Sequence, residues 1–283
     1  MFQGTTSQRR DTVVPPADPG RERWRGIPRW IVAAVAIVLI GALGFGLGLL
    51  TRSDDASDLS VDAPAGRGAN DPPFPASPDN PSARVLSGLV VRQRDVRGNL
   101  SVQLLPDGDE VQGQATLDLC NGTYPSESLR TERLQVVVVD AQATVPLSTE
   151  AVMYENPAAT TQAFGELASV AANCPSTPVP SPVGGTTATT RFLEASDGAW
   201  PQTPSVDRLA YRFTTTTAST ATITGETRES VAVYLRRGRV LMGLYFPQPN
   251  GPQPPVVGLT TIPEIVSESA GRIAQLPQSV VDG

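Results

Sequence analysis

The sequence predicts an α+β fold, an antiparallel sheet flanked by helices, preceded by one transmembrane helix. Three patterns carry that prediction. Two apolar runs, residues 230–235 and 240–246, bracket the short Gly-bearing segment Arg236-Arg237-Gly238-Arg239, which is a hairpin signature. Helix-start signals near residues 156 and 261 precede amphipathic stretches without regular strand–helix alternation. An uncharged run over residues 30–51 is long enough to cross a bilayer.

Composition narrows the chemistry. At 283 residues, 40% hydrophobic, 18% charged and 5% aromatic, the chain suits one globular domain with non-globular extensions. All 22 basic residues are arginine. Without lysine or histidine, an imidazole base, a Schiff-base lysine and a histidine metal ligand are excluded. Residues 85–283 hold 13 Arg against 19 Asp and Glu. That acidic balance argues against nucleic acid as a partner.

Residues 1–29 combine charge, Pro and Gly without apolar periodicity and are expected to be a disordered cytoplasmic tail. Residues 30–51 form the transmembrane helix. Arg9, Arg10, Arg21, Arg23, Arg25 and Arg29 precede it, and Asp54, Asp55, Asp58 and Asp62 follow it, so the positive-inside rule leaves the C-terminal bulk outside the cell membrane. A cleaved signal peptide is the alternative, with a shorter apolar core and a small-x-small cleavage site. Gly44 and Gly48, at GxxxG spacing, offer a packing face for a homodimer through this helix. Residues 52–84 contain Pro64, Pro72, Pro73, Pro75, Pro78 and Pro81 and read as an extended linker.

The extracytoplasmic domain is expected over residues 85–283. A helix is expected from near Arg84, taking in Leu86, Leu89 and Val90. Pro106-Asp107-Gly108-Asp109-Glu110 is a turn; three carboxylates there lack the ligand spacing of a calcium loop. Cys120 and Cys174 lie in the oxidising compartment and are assigned as a disulfide, closing a loop whose constraint is worth about 4 kcal/mol. Residues 134–139 are a buried strand, paired with an alternating strand over 147–154. Asn156-Pro157 starts a helix with Phe164, Leu167, Ala168 and Ala171 on its buried face. Residues 176–185 read as an exposed loop, and residues 209–217 and 221–224 as Thr-rich strands. The 230–246 hairpin, apolar on both faces, belongs at the centre of the sheet, with helices over one face and loops or a ligand over the other. Its Arg236, Arg237 and Arg239 form a solvated, edge-protecting tip. Thr261 and Glu264 frame a capping box before a last helix carrying Ile265, Val266, Ile273 and Leu276 and stopped by Pro277.

The stretch Leu117-Asp118-Leu119-Cys120-Asn121-Gly122-Thr123-Tyr124-Pro125-Ser126-Glu127 looks like a segment of actinobacterial extracytoplasmic domains. With Ser148-Thr149-Glu150-Ala151-Val152-Met153-Tyr154, then Asn156-Pro157 and a helix closing at Cys174-Pro175, it resembles the PknH-like extracellular sensor domain. That resemblance implies a helix-flanked antiparallel sheet with a groove suited to ligand binding, and a role in sensing envelope conditions. The sequence departs from the kinase-linked members in holding no kinase domain and at most one disulfide.

Glu127, Arg130 and Arg133 are the candidate ligand-binding residues, since arginine recognises carboxylate or phosphate bidentately; an internal Glu–Arg pair fits the same spacing. No catalytic, metal-binding or cofactor-binding residue is assigned. The expected function is a non-catalytic, membrane-anchored, sensor-like module that binds an envelope ligand or protein partner. A carboxylate-based cell-wall hydrolase and a structural envelope protein are the alternatives.

Overall fold

The computed structural model describes residues 80–105, 107–112, 120, 122–180, 187–194, 202–219 and 224–283. The tail, the apolar run at 30–51, the Gly44/Gly48 pair and the linker up to residue 79 lie outside the described residues. Among the described residues no helix is long and apolar enough to cross a membrane.

The elements in chain order are α1 (Pro81–Leu89), β1 (Ser101–Leu104), β2 (Arg130–Val139), β3 (Leu147–Tyr154), α2 (Pro157–Ala172), β4 (Val179–Pro180), β5 (Thr187–Glu194), β6 (Asp207–Thr217), β7 (Thr227–Arg237), β8 (Val240–Phe246), α3 (Ile262–Ala274) and α4 (Gln278–Asp282). The strands form one sheet in the order β1-β2-β3-β8-β7-β6-β5-β4, with every neighbouring pair antiparallel. This is the α+β architecture expected from the sequence.

The β7–β8 hairpin occupies the middle of the sheet, as its two apolar faces require. One face carries Val136, Val138, Leu147, Met153, Val233, Leu235, Met242 and Leu244. It is covered by α1 through Leu86 and Leu89 and by α3 through Ile265, Val266 and Ile273. The other face carries Val152, Tyr154, Ala232, Tyr234 and Leu241 under α2. Helices therefore cover both faces of the hairpin, where loops or a ligand were expected on one.

Capping explains where the helices begin. Asn156 Oδ1 accepts from the Ala159 amide at 3.0 Å, with Pro157 in the first turn. Thr261 and Glu264 form the reciprocal box at the start of α3. The Asn-Pro device recurs at Asn80-Pro81, where Oδ1 accepts from the Ser82 and Ala83 amides at 3.0 and 3.2 Å. Helix α1 thus starts upstream of Arg84, inside the stretch expected to be linker up to residue 84. Proline at the first helical position favours a helix there, although proline enrichment suggested a spacer.

Two further expectations are corrected. The buried residues of α2 are Ala159, Thr160, Ala163 and Leu167, while Phe164, Ala168 and Ala171 are only partly buried. Small residues let the helix sit close to Tyr154 and Tyr234, and Phe164 moves to the rim under the Arg236 guanidinium, 5.4 Å from the ring centroid. The expected loop at 176–185 contains Val179–Pro180, paired with Thr187 and Ala188; residues 181–186 lie outside the described residues. So do residues 221–223 of the strand expected at 221–224.

The hairpin arginines are not a solvated tip. Gly238 has φ +54°, and with Arg239 it makes a two-residue turn between the paired Arg237 and Val240. The tight turn brings the arginines under the C-terminal segment. Arg237 Nη1 donates to the carbonyls of Ile273, Ala274 and Leu276 at 3.1, 2.8 and 2.8 Å, capping the end of α3. Arg239 Nε donates to Val280 O at 3.0 Å, and its amide to Val281 O at 3.1 Å, which docks α4. Arg236 pairs with Asp207 and bonds the Thr161 hydroxyl.

Candidate functional site

Residues three apart on a regular strand face opposite sides of a sheet. Arg130 and Arg133 do not, because the register runs Arg130 to Tyr154, Glu132 to Met153 and Arg133 to Val152. Strand β2 takes three steps where β3 takes two. The bulge at Thr131 turns both arginines onto the face that α2 covers.

Arg133 meets an acid from the neighbouring strand. Its Nε donates to Glu150 Oε1 at 2.6 Å, and both side chains are sealed from water at 1% and 0% exposure. The remaining guanidinium edges are also filled. Nη2 donates to Gln135 Oε1 at 2.5 Å, and Nη1 donates to the carbonyls of Asp107 and Glu110 at 2.9 and 3.4 Å. Those carbonyls belong to the acidic turn. Gly108 anchors it to β2, its carbonyl accepting from the Gln135 amide at 2.7 Å. The turn therefore presents main-chain oxygens to an arginine. Among the described residues no group of three or more His, Cys, Asp or Glu is placed to hold a metal ion.

Glu150 has a second partner. Tyr245 Oη donates to Oε2 at 3.1 Å, with its ring laid along β8 over Gly243. A Cβ at residue 243 would stand 2.6 Å from that hydroxyl, so the bond exists because residue 243 has no side chain. Tyr234 meets Tyr245 edge to face at 6.0 Å. Burial first, then the Glu150 charge, lifts the Tyr245 phenol well above its usual range; burial and Tyr245 do the same for Tyr234. Both hydroxyls stay protonated at neutral pH, so Tyr245 is a donor to Glu150 and not a base.

The second arginine lies at the mouth of this face. Arg130 is 5% exposed and opposes Tyr154 in the register. Burial works against its charge, but Tyr154, Glu150 and Glu127 outweigh it and leave its pKa raised. Its Nη2 stands 3.6 Å from Glu127 Oε1 on the short 3₁₀ turn Pro125–Leu129. The structure thus pairs Arg130 with Glu127 and Arg133 with Glu150, so the three candidate residues divide between two clusters.

A recess lies beside Arg130, bounded by Tyr124, Ser126, Tyr154, Ala163, Leu167 and Leu241, with room for about one water molecule. Ser126 closes it toward α2: its hydroxyl and amide donate to Glu166 Oε2 at 2.6 and 3.2 Å, and Gln162 Nε2 donates to Oε1 at 2.7 Å. The Cys120–Cys174 disulfide, with Cα atoms 5.4 Å apart, staples the chain before this turn to the end of α2.

Ser148, Glu150 and Tyr154 entered the sequence reading only as part of the resemblance, and Gln135 and Tyr245 only within strands; none was assigned to the site. A signal was present, because Glu150 interrupts a strand whose other residues suit burial, and a carboxylate there needs a partner. The bulge that aligns the two arginines has no mark in the sequence.

No protein-family model matches the chain, and no curated protein matches it. The chain is similar to the extracellular domain of PknH from Mycobacterium tuberculosis, at 11% sequence identity and a TM-score of 0.32, over 62% of this chain and 75% of that one. The similarity is weak and concerns the fold.

Proposed function

We propose that this chain is a single-pass membrane protein whose α+β domain lies outside the cytoplasmic membrane and serves as a non-catalytic, sensor-like module binding an envelope ligand or protein partner. The observation that carries the placement is the Cys120–Cys174 bridge in a domain that follows an uncharged run flanked by arginines on its N-terminal side. A bridged pair is the state of cysteines in an oxidising compartment.

The acids near the recess support a binding role over hydrolysis. Glu150 is bonded to Arg133 and Tyr245, and Glu166 to Ser126 and Gln162. A glycosidase needs one carboxyl free to give up a proton and a second to attack or activate water. Both of these acids serve as acceptors to protein donors, and the third acid near the recess, Glu127, pairs with Arg130. Glu127 and Arg130 at the recess mouth are the residues proposed to meet a ligand.

Native mass spectrometry of the full chain, purified from envelope membranes in detergent, tests the proposal. The expected result is an envelope molecule that leaves on unfolding and is chemically unchanged after incubation with the chain. Retention of no lipid, glycan or protein, or turnover of the retained molecule, contradicts it.

A further inference from the structure

We infer that the turn from Val256 to Leu259, together with the arginines beside the 3₁₀ turn it leans on, is a contact surface for the anionic headgroups of the membrane that anchors the chain. The inference rests on the single-pass, outside-facing reading above and adds to it a surface separate from the recess beside Arg130.

Val256 and Leu259 exchange both main-chain hydrogen bonds, Val256 N to Leu259 O at 3.0 Å and Leu259 N to Val256 O at 2.9 Å. The two residues between them, Val257 and Gly258, have φ +51° and +84°. A two-residue turn with positive φ at both positions favours Asn, Asp or Gly. A β-branched side chain is disfavoured in that region, so Val257 holds a strained backbone. Packing does not explain the choice of valine. Val256 is buried and Leu259 packs against the core, whereas Val257 is 52% exposed. Among the described residues no other large hydrophobic side chain is so exposed. The turn therefore carries strain while presenting a branched apolar group to the outside.

The tip is fastened to a basic patch. The Val257 amide donates to the Asp95 carbonyl at 2.6 Å, next to the 3₁₀ turn Gln93–Asp95. Residues 91–100 and 247–263, the two segments that meet there, contain Arg92, Arg94, Arg97 and one acid, Asp95. Asp95 pairs with Arg92 and Arg272, and Arg272 also pairs with Glu268. Four arginines against two acids leave an excess of positive charge in a chain whose net charge is −6, and Arg94 and Arg97 are exposed.

That combination fits a lipid surface. Arginine bonds phosphate bidentately, and basic side chains close to an anionic bilayer are attracted to it while an apolar neighbour enters the interface. The anchor read at residues 30–51 keeps the domain over the bilayer at high effective concentration, so a contact this small suffices. Helix α1 spans about 14 Å, which sets Gln93–Asp95 within about one helix length of Pro81, where the chain enters the domain.

The test places the isotope-labelled full chain in nanodiscs of phosphatidylcholine alone, or of phosphatidylcholine and phosphatidylglycerol in equal parts, each with a trace of gadolinium-chelating lipid. Amide signal loss is read by NMR. The Arg94, Arg97, Val257 and Gly258 amides are expected to lose most of their intensity with phosphatidylglycerol and little without it. Arg94→Gln combined with Arg97→Gln should restore the Val257 signal. Val257→Asn should also weaken the loss, yet raise the unfolding midpoint, because asparagine suits the turn; a valine kept for stability alone would lower it. Equal loss in the two lipids, no loss at these amides, loss unchanged in the double arginine variant, or a lower midpoint for Val257→Asn each overturns the inference. If the chain enters the discs and the tip shows no lipid-dependent loss, the contact falls and the anchored placement stands; a chain that does not enter the discs overturns both.

Discussion

Arg133 and Glu150 form a water-free ion pair across adjacent strands, Nε to Oε1 at 2.6 Å, on the second and third strands from one edge of the sheet. Desolvating two charges is costly, and mutual attraction offsets that cost only with good geometry and further hydrogen bonds. Gln135, Tyr245 and the 107–110 carbonyls supply those bonds.

Breaking this pair should hurt more than deleting it. Glu150→Leu alone strands a buried guanidinium and is expected to lower stability by about 3–5 kcal/mol. Arg133→Met with Glu150→Leu removes both charges and should recover most of that loss. Denaturant unfolding of the single and double variants measures the difference, and additive losses would contradict the pairing.

Gly243 sets the position of the Tyr245 hydroxyl. Gly243→Ala places a methyl 2.6 Å from it and should push the ring away from Glu150, costing about 1–3 kcal/mol by overpacking. Tyr245→Phe loses only the hydrogen bond, about 1.5–3 kcal/mol because the acceptor is a buried carboxylate. Combining the two should cost less than their sum, because the clash involves the phenolic oxygen. The readout is the unfolding midpoint; strict additivity argues against the contact.

Asp95 links a 3₁₀ turn to α3, accepting from the Arg92 amide at 3.0 Å and from Arg272 Nη1 at 3.1 Å. Burial alone would raise its pKa, but the Arg272 charge and hydrogen bond, with Arg92, outweigh burial and hold it below the ordinary 3.8. A depressed folded pKa gives stability that is complete above the ordinary value and is lost as pH falls through the folded one. Asp95→Asn should therefore cost about 2 kcal/mol at neutral pH and flatten the loss of stability below pH 3.8. Unfolding curves across that range check the sign; an unchanged slope would exclude Asp95 as a contributor.

Much of the domain was legible because its signals are local. The β2–β3 pairing, the β7–β8 hairpin and the Asn156-Pro157 and Thr261–Glu264 helix starts depend on patterns within a few residues, and all appear. Strands β1, β4 and β5 were missed, since four-residue, two-residue and Thr-rich segments become strands only by pairing with distant chain. The candidate site was half legible. Glu127 and Arg130 meet as sequence neighbours, whereas Arg133 finds Glu150 through a register and a bulge that no local pattern encodes. The hairpin arginines failed for the same reason: their acceptors lie on α3 and α4, about forty residues downstream.

The placement of the domain outside the membrane is tested most directly by the sulfurs of Cys120 and Cys174. Intact cells are treated with a membrane-impermeant maleimide, before and after an equally impermeant reductant. No labelling is expected at first, and labelling of both residues is expected after reduction with the cells still sealed. Thiols that label without reductant, and only once the cells are lysed, would contradict it.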